Sequence, residues 1–342
     1  MNTAYVYDPL YLEHDQPPHP ENKRRLEQAI AHLKAAGCLE RMRHLKARDA
    51  TVDEIATVHG LSYIAQVRDM AERGGGHLDA DTYVTPRSYD AALRAAGGLL
   101  TAVEAVLANK VDNAFALVRP PGHHALASRG MGFCLFNNVA IAARCALQQY
   151  SLKRVLIVDF DLHHGNGTQE AFYEDPQVLY FSTHQYPYYP GTGHWTETGR
   201  GPGQGYTVNV PLPAGIGNAG YQRVFDQVLV PLAHRHKPQL ILASAGYDAH
   251  WADPLGMMLL SVSGYAELAR RLVALASELC DGHLVLTLEG GYNLEAQALS
   301  IAATFSALLG DDKVDDPLGL ARQSEQSVDS VIVDVRRAHG LN

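Results

Sequence analysis

One pattern leaves few folds open: short apolar runs rich in β-branched residues alternate with longer amphipathic stretches along most of the chain. Six runs read as strands, at residues 4–7, 114–118, 154–158, 178–181, 240–243 and 284–288. Six stretches between or after them read as helices, at 22–36, 88–108, 137–150, 218–234, 263–279 and 294–308, with Ser88 and Ser263 as expected N-caps. Several strands are apolar throughout rather than alternating, the signature of a strand covered by helices on both faces. The expectation is an α/β fold, one domain over 1–342, built on a parallel sheet. The glycine-rich stretch 191–205 reads as a loop and residues 311–342 as a polar C-terminal extension, and neither marks a domain boundary.

Composition narrows the function. With 46% hydrophobic and 19% charged residues the chain can build a sizeable core. A formal net charge of -9 argues against nucleic acid as the partner, because phosphate backbones are held by concentrated Lys and Arg. The same charge suits a cationic substrate, although it also serves plain solubility. Cys38, Cys134, Cys145 and Cys280 are far apart and form no CxxC pair, so neither a disulfide framework nor a thiolate zinc site is expected, and a reducing cytoplasm fits. The N-terminal residues lack the pattern of a secretion signal, and no run of about 18 apolar residues predicts a membrane span.

Polar residues collect where the strands end. RPPGHHA follows Val118, DFDLHHGNG follows Val158, STHQYPYYPGTG follows Phe181, SAGYDAH follows Ala243 and EGGYN follows Leu288. In an open parallel sheet the loops beyond the carboxyl ends of the strands converge on one crevice, so five strand ends deliver His, Asp, Tyr and Gly to one rim. Asp161 and His163, two apart on an extended segment, point the same way and can grip one ion, and Asp248 can complete the set. Two carboxylates and one imidazole leave a coordination position open, as catalytic zinc requires. A lone Asp-x-His is more often a surface turn or a satisfied core histidine; the coincidence of five polar strand ends reverses that balance. His123 and His124 can divide proton transfers between them, against the alternative of a merely structural turn. Tyr292, after two glycines, can present its hydroxyl to a carbonyl oxygen, against that of a tyrosine bonded only to backbone.

RPPGHHA, GFCLFNN, VDFDLHHGNGTQ, PGTG, SAGYDAH and LEGGYN, in this order and spacing, resemble the histone deacetylase family, including its bacterial histone-deacetylase-like amidohydrolases. HPENKRRL near the start is similar to the family's HPE signature, so the motif-bearing core runs over about 19–310. The resemblance implies the arginase/deacetylase fold, an eight-stranded parallel sheet flanked by helices, with one Zn2+ per chain on Asp161, His163 and Asp248. It implies His124 as the base that activates water, His123 as electrostatic partner or acid, Asp159 and Asn166 behind them, and Tyr292 polarising the scissile carbonyl. Gly132, Phe133, Tyr189, Leu255 and Gly290 match the acyl-lysine channel, and Arg25 matches an arginine near the acetate-release cavity. K+ is implied at Asp159, Asp161, His163, Ser182 and Thr183, with a second K+ near Phe172, Asp175, Val178 and Tyr206.

Two departures matter. Asn166 stands where class I relatives carry an aspartate behind the second histidine of the pair, so His124 is held with less negative charge and is less basic; class II relatives share the asparagine. Tyr189 replaces the commoner phenylalanine of the channel wall. The expected substrate is acetylated lysine in proteins or peptides, with an acetylated small amine as the alternative. Relatives specialised for polyamine carry a gatekeeping glutamate where this chain reads Asp253-Pro254-Leu255-Gly256, and the compact stretch 73–86 has no room for the long insertion of bacterial polyamine deacetylases. An arginase-like manganese pair would need further ligands that do not accompany these motifs, and an inactive acyl-lysine binder would not be expected to retain every one of them. Whether the chain forms a homo-oligomer is left open.

Overall fold

The computed structural model describes residues 1–341. Ten strands follow one another in the chain: β1 (Thr3–Val6), β2 (Arg43–Leu45), β3 (Gly76–His77), β4 (Tyr83–Val84), β5 (Asn113–Ala116), β6 (Val155–Asp159), β7 (Val178–Gln185), β8 (Thr207–Leu212), β9 (Leu240–Ala245) and β10 (Leu284–Leu288). Eight form one parallel sheet in the order β2-β1-β5-β10-β9-β6-β7-β8, while β3 and β4 make a small antiparallel pair. Strands β5, β6, β9 and β10 are buried at every residue, in keeping with their predominantly apolar sequences.

Helices flank the sheet: α1 (Arg24–Ala35), α2 (Val52–Ile55), α3 (Leu61–Glu72), α4 (Ser88–Leu107), α5 (Asn138–Gln149), α6 (Asn166–Phe172), α7 (Asn218–Val224), α8 (Val230–His236), α9 (Val262–Leu279), α10 (Leu294–Leu309) and α11 (Asp329–Ala338). Asn137 and Asn293 cap α5 and α10 through their side chains. None of the described helices is long and apolar enough to cross a membrane.

The structure corrects several sequence expectations. The short pair β3 and β4 carries no sequence signal, and within the large sheet the two strands without one are the edges, β2 and β8. The first is three residues long and largely exposed; the second contains Pro211, which an edge strand tolerates because one row of its N–H groups needs no partner. The helix expected over 218–234 is interrupted by a π turn at Phe225–Leu229. Pro231 has no N–H for the carbonyl of Gln227, and that oxygen instead accepts from Nη1 of Arg336 at 2.6 Å. Ser261 rather than Ser263 caps α9, accepting from the N–H of Gly264 at 3.2 Å. Ser88 lies inside the first turn of α4, its Oγ paired with Nδ1 of His14 at 2.6 Å. The segment after Asp311 carries α11, which buries Val328, Ile332 and Val335.

Candidate active site

The four central strands β5, β10, β9 and β6 are consecutive in the sheet, so the loops at their carboxyl ends meet. The loop after β6 carries Asp161 and His163, that after β9 carries Asp248, and the ligand-capable atoms of all three lie within 4.8 Å of one another. Nδ1 of His163 is 3.2 Å from Oδ1 of Asp161 and 3.1 Å from Oδ2 of Asp248. Backbone N–H groups fix the carboxylates: His163 and Gly290 donate to Asp161 at 2.9 and 2.8 Å, and Leu162 donates to Asp248 at 2.9 Å.

Two glycines make this convergence sterically feasible. A Cβ on Gly246 would lie 2.0 Å from Oδ2 of Asp161, and one on Gly290 would lie 2.2 Å from Oδ2 of Asp248. Two carboxylates buried this close are costly unless a cation joins them. Burial opposes a charged His163, yet its bonds to Asp161 and Asp248 win and push its pKa up to about 9. The trio therefore pulls positive charge to one point, and its O, N, O donor set fits a divalent cation such as zinc.

Beside it stand His123 and His124, ring centroids 4.0 Å apart, on the turn after β5. Nδ1 of His123 lies 3.0 Å from Oδ2 of Asp159, the last residue of β6, which also accepts from the hydroxyl of Tyr180 at 3.2 Å. Nδ1 of His124 meets Oδ1 of Asn166, the first residue of α6, at 2.8 Å. With the asparagine assigned as acceptor, Nδ1 of His124 carries the proton and Nε2 keeps its lone pair.

A cavity of about 290 Å³ opens onto these groups, lined by His124, His163, Gly132, Phe133, Tyr188, Tyr189, Leu255, Tyr292 and Asp81. Gly132 is shaped for the close approach: at φ +56°, a Cβ there would fall 2.4 Å from Cδ2 of His124. Tyr292 packs edge-on against Phe133, and the guanidinium of Arg25 lies 5.0 Å from its ring centroid. Arg25 itself is behind that wall, outside the cavity lining, bonded to Glu21 and to the carbonyls of Gly291 and Glu289. Gly290, expected in the channel, likewise lies beneath the carboxylates and does not line the cavity.

The residues named for K+ are grouped by the sheet. Asp159 pairs in register with Ser182, and Thr183 follows it on β7. The Oγ1 of Thr183 is buried without a hydrogen-bond partner, while Oγ of Ser182 meets Nδ1 of His184 at 2.8 Å. Phe172, Asp175, Val178 and Tyr206 surround the turn into β7. There the Asp175 carboxylate is paired with Arg144, and the Tyr206 carbonyl accepts from the N–H of Tyr180.

Sequence reading overlooked several participants. The Asp253 carboxylate accepts from the N–H groups of Tyr292, Asn293 and Leu255 at 2.6, 3.0 and 2.9 Å, tying two cavity loops together. Glu289 accepts from the N–H groups of Gly122 and His123 at 2.7 and 3.2 Å, holding the histidine turn against β10. Tyr188 stacks on His163 with ring centroids 5.8 Å apart. The signal for Asp253 and Glu289 was present as acids in otherwise apolar, glycine-rich loops; that for Tyr188 was hidden by its neighbour Tyr189.

The model of the histone deacetylase domain matches residues 19–308. A probable deacetylase of Archaeoglobus fulgidus is 46% identical over 298 residues, covering 86% of this chain and 82% of that protein. The polyamine deacetylase HDAC10 of Homo sapiens is 39% identical over 96% of this chain and 52% of its own greater length. In three dimensions the crystal structure of the HDA15 HD domain superposes with a TM-score of 0.90 at 37% identity, covering 98% of this chain and 95% of that one.

Proposed function

Because this chain belongs to the histone deacetylase family, we propose that it is a zinc-dependent amidohydrolase releasing acetyl and related acyl groups from the side-chain amine of acyl-lysine. The observation that carries this reading is the meeting of Asp161, His163 and Asp248 at the floor of a cavity with aromatic walls. An ion held there supplies Lewis acidity toward a water and the acyl carbonyl.

The side chains divide the remaining work. Nε2 of His124, free to accept, takes the water proton, and His123, held by Asp159, supplies positive charge to the reacting centre and a proton to the departing amine. The Tyr292 hydroxyl donates to the oxygen on which charge develops. Gly132, Phe133, Tyr188, Tyr189 and Leu255 enclose the alkyl chain and keep water out. K+ at the Asp159 to Thr183 group would satisfy the orphaned Oγ1 of Thr183. Four buried free cysteines suit a reducing compartment, the cytoplasm.

Leu255 at the cavity mouth favours a neutral alkyl chain there, and hence protein or peptide lysine. One observation favours a second reading, acetylated polyamine: Asp81 also lines the cavity and offers a carboxylate to a distal ammonium. The test compares kcat/KM for acetyl-lysine peptides and acetylputrescine, before and after chelation and with zinc restored. Preference for the peptides and recovery with zinc are expected. Preference for acetylputrescine would install the second reading, and failure of zinc to restore a chelated enzyme would remove the metal from the mechanism.

A further inference from the structure

A second group with metal-binding chemistry lies behind the histidine pair. His123, Cys134 and Glu289 bring ligand-capable atoms within 4.8 Å of one another. Their exposures are 3%, 0% and 0%, so the cluster is closed to solvent, whereas the trio reaches the cavity through His163. Its donors are nitrogen, sulfur and oxygen, a softer set than the O, N, O of the trio and one that suits Zn2+ well.

Among the described residues no Arg or Lys side chain is bonded to the Glu289 carboxylate; Arg25 reaches only its backbone carbonyl. Among those residues the carboxylate oxygens accept from the Gly122 and His123 N–H groups and from Oγ of Ser244 at 3.1 Å. Burial accordingly pushes its pKa up to about 7. Cys134 donates weakly from Sγ to the carbonyl of Gly132 at 3.3 Å, and its sulfur also faces the backbone N–H of His124. A buried acid with no Arg or Lys partner and a weakly bonded thiol thus sit beside a histidine whose ring has a second nitrogen.

We propose that His123, Cys134 and Glu289 form a second, inhibitory Zn2+ site. On binding, the Cys134 S–H bond and one His123 ring N–H bond break, both protons leave to solvent, a zinc–sulfur and a zinc–nitrogen bond form, and one Glu289 oxygen completes the protein ligands. No electron changes hands. The inhibitory effect rests on the role of His123 given above: a metal on its ring removes the proton and the mobility that turnover needs, while the trio is left intact.

The test uses the full chain carrying one equivalent of Zn2+, titrated with further zinc chloride while bound metal and peptide deacetylation are measured together. Binding of a second equivalent and a loss of roughly 10²-fold in kcat are expected. Cys134→Ser should hold one equivalent and keep its activity at the same zinc concentration, and Glu289→Gln, which retains an oxygen for the N–H groups, should weaken the second equivalent. With Co2+ in place of zinc, the second equivalent should bring a thiolate-to-metal charge-transfer band. The absence of that band, or equal inhibition of wild type and Cys134→Ser, would overturn the proposal. Should the band appear in a protein inactive with one equivalent, the second site stands and the deacetylase reading falls.

Discussion

His123 and His124 are adjacent in the chain, nearly in ring contact and equally buried, yet the regions they face are opposite in character. On the β6 side, burial works against a charged His123, but Asp159 and then Asp161 outweigh it and push the pKa up to about 10. On the α6 side, burial and the charges of His123 and His163 hold His124 well below the ordinary imidazole value, and the neutral amide of Asn166 does little to oppose them. The surroundings thus favour the cation at one ring and the neutral form at the other. The lesson is that the groups packed around each ring, with a carboxylate behind one and an amide behind the other, separate the two members of an otherwise matched pair.

The largest expected effect comes from removing the basic member. His124→Ala should lower kcat by ~10²–10⁴-fold with zinc content unchanged, measured by peptide deacetylation and metal analysis. A comparable rate in the variant would mean the neutral ring is not the base. Next, Asp159→Asn takes the charge from behind His123; a loss of roughly 10–100-fold in kcat is expected, with KM nearly constant. If this loss equalled that of His124→Ala, the two sides would not differ in kind. The smallest effect sharpens the contrast by abolishing it: Asn166→Asp places a carboxylate behind His124 as well. A carboxylate favours the imidazolium and so raises the pKa of His124, and the acid-side loss of activity that needs the neutral ring should already set in at a higher pH. The acid limb of kcat/KM against pH should move up by about 1 unit, and an unmoved limb would show that Asn166 does not tune the base.

How much of this was legible depended on depth in the sheet. The central strands β5, β6, β9 and β10 are buried on both faces, so their sequences are predominantly apolar and the polar segments that follow announce the site. Asp161, His163 and Asp248 were readable for the same reason, since aspartates directly following such runs need an explanation. The edges β2 and β8 carry no such mark: exposure admits His44 to the first, and in the second, although buried, Asn209 and Pro211 break the apolar run. Ser261 and Ser263 are equivalent caps by sequence; Asn218, whose Oδ1 accepts from the N–H of Ser261 and whose Nδ2 donates to its Oγ, favours the first. The placing of Arg25 and Gly290 outside the cavity needed coordinates, since motif position alone does not tell a channel wall from the layer behind it.

Helix α11 lies beyond the span that the family model matches, yet it packs on β8 and fills the seam with Val328, Ile332 and Val335. Arg235 and Arg336 fasten it, donating to the carbonyls of His339 and Gln227 at 2.7 and 2.6 Å. Shortening the chain to the matched span would therefore bare apolar surface beside a sheet margin whose backbone groups can still recruit a foreign strand. Such a fragment would keep every residue of the chemistry and be prone to aggregate.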